Sequence, residues 1–121
     1  MIETRWRDAG WTVSYGATWR AAGRTCLATI AAGYADGVRR SLSNRGTALL
    51  GGRRLPFAGR VTMDMTVLDA GACEPPGGAV ATLLGTDGEA SLTLDEVAAA
   101  AGTISYEILT GLSNRVARVY V

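Results

Sequence analysis

Strand-like stretches that glycine soon cuts short are what this sequence offers to a fold. Trp11, Val13, Tyr15 and Ala17 alternate with Thr12, Ser14, Gly16 and Thr18, which is the period of a half-buried strand. Cys26 to Ala32 is a more continuous apolar run that stops at Gly33, and it predicts a buried strand over 24–32. Thr47–Leu50 and Arg53–Phe57 flank Gly51-Gly52, a pair suited to the tight turn of a hairpin. Gly59–Asp69 alternates again, Val80–Leu84 is another short strand, and Val116–Val121 reads as a closing one. Between them, 71–78 is a surface loop rich in glycine and proline.

Helix is written clearly at one place only. Thr93-Leu94-Asp95-Glu96 is a capping box, in which the threonine hydroxyl and the glutamate carboxylate satisfy orphan amides reciprocally. Ala98–Ala101 propagate that helix and Gly102 ends it. A shorter helix or turn is expected over Ser105–Leu109. Residues 1–10, with mixed charge around Trp6, read as a lead-in rather than a core element. The sum is a single, mainly β domain over 1–121 with one or two short helices. So small a sheet must hide its edges, which predicts a closed or nearly closed Greek-key-like β-barrel.

Composition removes whole classes of function. A net charge of +1 gives no general electrostatic case for nucleic acid or a membrane surface. No apolar run reaches the roughly 18 residues of a membrane span, and no basic-then-apolar leader opens the chain, so a soluble, cytoplasmic protein is expected. The mean hydropathy of +0.15 suits an ordinary globular interior. Cys26, inside an apolar run, is expected to be a small buried group, and with Cys73 makes neither a disulfide framework nor a zinc spacing. Histidine is absent, which excludes Ser-His catalysis and the common metal sites. Lysine is absent too: all 12 basic residues are arginine. Chemistry that needs a side-chain Schiff base therefore cannot be anchored in this chain.

One stretch stands out for chemistry: Gly33-Tyr34-Ala35-Asp36-Gly37, followed at once by Val38-Arg39-Arg40. It sets a phenol between two glycines at the end of a strand, where the backbone can turn sharply and a ligand can come close. A phenol that carries protons needs cationic neighbours to favour its anion, and two guanidinium groups lie nearby in sequence. Taken alone, the stretch is equally a rim aromatic in a turn that Asp36 stabilises through its own backbone.

Four stretches together resemble the C-terminal domain of alanine racemase, a fold-type III enzyme that uses pyridoxal 5'-phosphate (PLP). They are Val13-Ser14-Tyr15-Gly16, Gly33–Gly37, Gly59-Arg60-Val61-Thr62-Met63-Asp64, and Thr103-Ile104-Ser105-Tyr106-Glu107 with Arg115–Tyr120 behind it. Their order and spacing span nearly the whole chain. The resemblance implies a two-domain subunit whose N-terminal β/α barrel, absent from this sequence, holds PLP on a lysine. It also implies a head-to-tail homodimer in which the β domain of one subunit reaches the active site of the other. Racemisation needs proton carriers on opposite faces of the substrate carbon. The resemblance makes Tyr34 one of them, the barrel lysine being the other.

By the same resemblance, the backbone N–H of Met63 holds the substrate carboxylate, Arg60 lines the substrate entryway, and Tyr106 binds the cofactor phosphate. A solvated surface arginine and a helix-face aromatic are the bland alternatives for Arg60 and Tyr106. Asp36 and Asp64 read as turn residues or supports. Val38 and Arg39 stand where the family commonly has an aromatic and a proline, and Thr62 where cysteine is frequent. The implied activity is interconversion of L- and D-alanine as part of a larger enzyme, the domain alone being inactive and holding no PLP of its own. The alternative is a free-standing β-barrel interaction module derived from such a racemase. A fold-type III decarboxylase domain is disfavoured, since its cysteine- or aspartate-centred motifs are missing. A domain parted from its barrel should expose an apolar patch and self-associate through the face bearing Tyr34 and Met63.

Overall fold

A computed structural model describes residues 1 and 3–121. The fold is built around β4 (Thr25–Ile30), the middle strand of a three-stranded antiparallel sheet. On one side it pairs with β1 (Glu3–Arg7), setting Trp6 opposite Cys26; on the other with β7 (Thr66–Gly71), setting Ala28 opposite Leu68. The apolar run seen in the sequence is buried on both faces for this reason. Cys26, Ala28 and Ile30 face the main core with Leu50, Leu55, Phe57 and Leu68, while Leu27 packs with Val13 and Ala58 behind the sheet. Cys26 is fully buried, and that burial is the first cause pushing its thiol up.

The expected hairpin is present: β5 (Thr47–Leu50) and β6 (Arg53–Pro56) pair across Gly51-Gly52, both at positive φ as a primed turn requires. The capping box forms in full. Thr93 Oγ1 accepts from the Glu96 N–H, Glu96 Oε2 accepts from the Thr93 N–H, and α1 (Leu94–Ala101) ends at a left-handed Gly102. The shorter helix is α2 (Ser105–Thr110).

Three expectations are corrected. Among the described residues no sheet closes into a barrel: the remaining strands form two-stranded units, β2 (Thr12–Val13) with β3 (Trp19–Arg20), β5 with β6, and β8 (Gly85–Asp87) with β9 (Ala90–Leu92). Among the described residues, single bridges link the hairpin to its surroundings, Phe57 to Leu68 of β7 and Leu49 to Thr82. The reason is local, since three of the alternating stretches do not extend. Residues 11–18 break where Ser14 (φ 64) and Gly16 (φ 69) turn the backbone left-handed. Residues 59–65 fold back on themselves, with the Thr62 N–H donating to Met65 O, so the strand begins only at Thr66. Val80–Leu84 contributes one bridge, at Thr82, rather than a strand.

The second correction is at the C-terminal end, where 116–121 pairs with nothing among the described residues. Its alternating valines have no sheet face to pack on, and Val119, Tyr120 and Val121 are exposed. Arg118 instead donates to the carbonyls of Leu112, Ser113 and Val116. The third is at the start. Glu3–Arg7 is a strand of the central sheet, and Trp6 packs against the main core. Its mixed charges belong to an outer edge, which such residues protect from further pairing.

Two measurements test this account. Leu68→Ala, at a fully buried position, should cost about 2–5 kcal/mol in a denaturant titration. Glu96 is held below the ordinary carboxylate range, first by the Thr93 N–H and then by Arg54. A depressed carboxyl contributes stability that is present above its unfolded pKa and is lost as pH falls through its folded one. Amide protection in α1 should therefore fall on acidification below about pH 4, the unperturbed glutamate range. In Glu96→Gln that acid-dependent loss should be absent.

Candidate active site

The chain leaves β4 and turns at 34–37, and Asp36 closes the turn on itself. Its Oδ2 accepts the Gly33 N–H at 2.9 Å, while the Asp36 and Val38 amides donate back to Gly33 O at 3.0 and 3.2 Å. The aspartate thus stabilises its own turn, its carboxylate bonding the amide three residues back.

A second loop is laid directly against this turn. The Tyr34 N–H donates to Thr62 O at 2.9 Å and the Ala35 N–H to Met63 O at 3.0 Å. Gly33 makes the approach possible, because a Cβ there would run into the carbonyl oxygens of both Thr62 and Met63. Two candidates far apart in sequence, Tyr34 and Met63, are in this way fixed by their backbones to one small patch. Tyr34 is 45% exposed and Met63 53%. Neither the Tyr34 hydroxyl nor the Met63 N–H has a hydrogen-bond partner among the described residues. An amide left free at the surface is a donor available to an incoming acceptor.

Arg115 ties the patch together from the C-terminal segment. Its Nε lies 3.3 Å from Asp36 Oδ1 and its Nη2 donates to Asp64 Oδ1 at 2.8 Å. The Asp64 hydrogen bond, and then the charge of Asp36, hold this guanidinium above its ordinary pKa. Nearby, Ser113 N–H donates to Asp36 O at 3.2 Å. Sequence reasoning placed both aspartates as supports but gave Arg115 no part. The signal was there in outline, as one of two arginines in a matching motif, but its two partners lie in separate loops.

Tyr106 stands on α2, 76% exposed, and its hydroxyl has no partner among the described residues. The helix is clamped to the tyrosine turn by Arg39, whose Nη2 donates to Glu107 O at 3.0 Å. Gly37 sits so close to Gly111 that a Cβ there would lie 2.8 Å from its carbonyl oxygen. Arg39 is therefore spent on positioning α2 rather than turned to Tyr34. Arg60 is apart from this group. Its carbonyl accepts from Ser14 Oγ at 2.9 Å, its guanidinium lies over Gly16, and with Arg40, Ser41 and Ser43 it lines a shallow depression. Neither Arg40 nor Arg60 has a carboxylate partner among the described residues.

Behind the turn lies a cavity of about 600 Å³, lined by apolar residues such as Val38, Phe57, Ile108 and Leu112, with Asp36 and Arg115 among its walls. None of Tyr34, Met63, Arg60 or Tyr106 lines it. The candidate residues Tyr34, Met63 and Tyr106 stand on the open surface instead. No cluster of metal-ligating side chains exists among the described residues. Nor is any described helix long and apolar enough to cross a membrane.

The chain is similar to known proteins in both sequence and shape. The family model "Alanine racemase, C-terminal domain" matches residues 1–120. The chain is 51% identical over 125 residues to the catabolic alanine racemase of Agrobacterium fabrum, covering 100% of this chain and 31% of that one. Alanine racemase from Streptomyces coelicolor A3(2) superposes with a TM-score of 0.94 at 41% identity, over 99% of this chain and 31% of that one. The enzyme from Bartonella henselae, solved with covalently bound pyridoxal phosphate, gives a TM-score of 0.91 at 37% identity, over 99% and 33%. The chain spans about a third of the length of the curated relatives it matches. Matched in sequence and in shape along almost its whole length, it belongs to the alanine racemase C-terminal domain family.

Proposed function

We propose that this chain supplies one of two proton carriers and the carboxylate anchor to an alanine racemase whose PLP is held elsewhere. The observation that carries the reading is the pairing of Tyr34 and Met63. Two backbone hydrogen bonds join the turn that carries the Tyr34 phenol to the loop that carries the unpartnered Met63 N–H. The N–H of Met63 is a fixed donor for a substrate carboxylate. With the carboxylate held there, the Tyr34 hydroxyl is the group that gives a proton to, and takes one from, one face of the α carbon. Arg60, in its own depression, suits the approach of an anionic substrate.

The residues present fit PLP as a contact surface and not as its anchor. The unpartnered, exposed hydroxyl of Tyr106 suits a phosphate oxygen, whereas the absence of lysine leaves no attachment point. When bound, PLP supplies the electron sink that makes removal of an α proton possible. The second carrier is then a lysine on the N-terminal barrel. On this reading the isolated chain is inactive. Tyr34, Met63, Met65, Tyr106, Leu109 and Leu112, all partly or largely exposed, belong to the face that meets the barrel within a homodimer.

Complementation tests the proposal. The chain is mixed with a racemase barrel carrying the PLP lysine, and conversion of L- to D-alanine is followed. Turnover should appear with the wild-type chain and drop about 10²–10⁴-fold with Tyr34→Phe, the range that a positioned acid/base group provides. Met63→Leu should leave turnover little changed, because its backbone and not its thioether is used. Gly33→Ala should destabilise the chain by roughly 1–3 kcal/mol and abolish turnover, since the two loops can no longer touch. Binding without turnover would mean a different substrate or a lost site. No binding at all would favour the interaction module.

A further inference from the structure

We propose that Arg115 is a positioning residue for the reaction. Its fork holds the Tyr34 turn and the Met63 loop in one register, so that proton carrier and carboxylate donor face the same substrate. The inference rests on the reading of Tyr34 and Met63 given above, and the geometry extends it. Among the described residues the two loops touch through two backbone hydrogen bonds, from Tyr34 and Ala35, on one strip of backbone. Two bonds on a strip leave a hinge. Arg115 closes it from the side: Nε reaches Asp36, which itself holds Gly33, and Nη2 reaches Asp64, the residue after Met63.

The arrangement has the form of a strut. Asp36 is mostly shielded, its side chain 16% exposed, so its carboxylate has little solvent to fall back on. Asp64 is 56% exposed and sits in the short turn that Thr62 and Met65 close, and Arg115 is the partner that ties its carboxylate to the tyrosine turn. A guanidinium can serve two carboxylates from one plane, which an ammonium cannot do with the same geometry. Arg115 touches neither Tyr34 nor Met63 by any hydrogen bond, and acts only through their neighbours.

The test is amide hydrogen exchange on the ¹⁵N-labelled chain, comparing wild type with Arg115→Ala, Arg115→Lys and Asp64→Asn. In Arg115→Ala the Tyr34 and Ala35 amides should exchange at least about tenfold faster while the β4–β7 ladder keeps its protection. Arg115→Lys should recover part of the loss, and Asp64→Asn should fall between wild type and alanine. Unchanged exchange at Tyr34 and Ala35 in Arg115→Ala overturns the proposal. So does equal acceleration of the β4–β7 ladder in both Arg115→Ala and Asp64→Asn, since that marks general destabilisation. If Arg115→Ala does not fold, Asp64→Asn decides alone: selective loss at Tyr34 and Ala35 supports the strut, and no selective loss overturns it. This readout does not depend on catalysis. Selective loss alongside a racemase assay that never turns over would count against the proposed function and not against the strut.

Discussion

The close approach of two backbones at Gly33 is the contact on which this domain's surface chemistry depends. A side chain at that position would meet the carbonyls of Thr62 and Met63, so the contact exists only because there is none. Its two hydrogen bonds join the exit of the buried central strand to a loop that immediately precedes its neighbour β7. The rigidity of the core is passed on to Tyr34 in this way. β4 is covered on both faces and paired on both edges, and the tyrosine turn begins within four residues of its end.

How arginine is used explains how so irregular a chain holds its shape. Several guanidinium groups are spent on backbone carbonyls: Arg20 on Gly10, Arg39 on Glu107 (whose carboxylate lies 4.0 Å away), Arg53 on Ala70 and Cys73, and Arg118 on three carbonyls in succession. Short strands and loops leave many carbonyls without a ladder partner, and each needs a donor. A planar group with five donors can serve two or three at once, while a lysine ammonium offers a rounder and more mobile target. The ion pairs are correspondingly few and mostly exposed, and exposed pairs contribute little to stability.

What could be read from the sequence was what local rules decide. The capping box, the two-glycine hairpin and the buried run of β4 each follow from residues within one short window, and each is present. The barrel was not legible, because closure depends on whether alternating stretches extend, and alternation does not say so. At 59–65 the Thr62 side chain and backbone both engage Met65, and that local turn outcompetes pairing. At 116–121 no strand among the described residues is there to pair with, and Val119 and Val121 stay exposed. The site was legible as residues and not as an assembly. Tyr34 and Met63 could be named, but that Gly33 joins them and Arg115 braces them lies in contacts between distant segments. Arg39 is the sharpest case: adjacent to the turn in sequence, it is committed to a helix nearly seventy positions later.

The reach of Arg115 also has a meaning in time. The turn around Tyr34 is held by a bond spanning three positions, from Gly33 to Asp36, and can form as soon as it is synthesised. The contact of Arg115 with Asp64 spans 51 positions. Pairings of that separation carry a loop-closure cost and belong late in folding, whether from a ribosome or from denaturant. A molecule can therefore have its central sheet in place while the tyrosine is present but not yet aimed. Native-like secondary structure and a competent surface are separate milestones, and the second is reached only when the last tenth of the chain comes home.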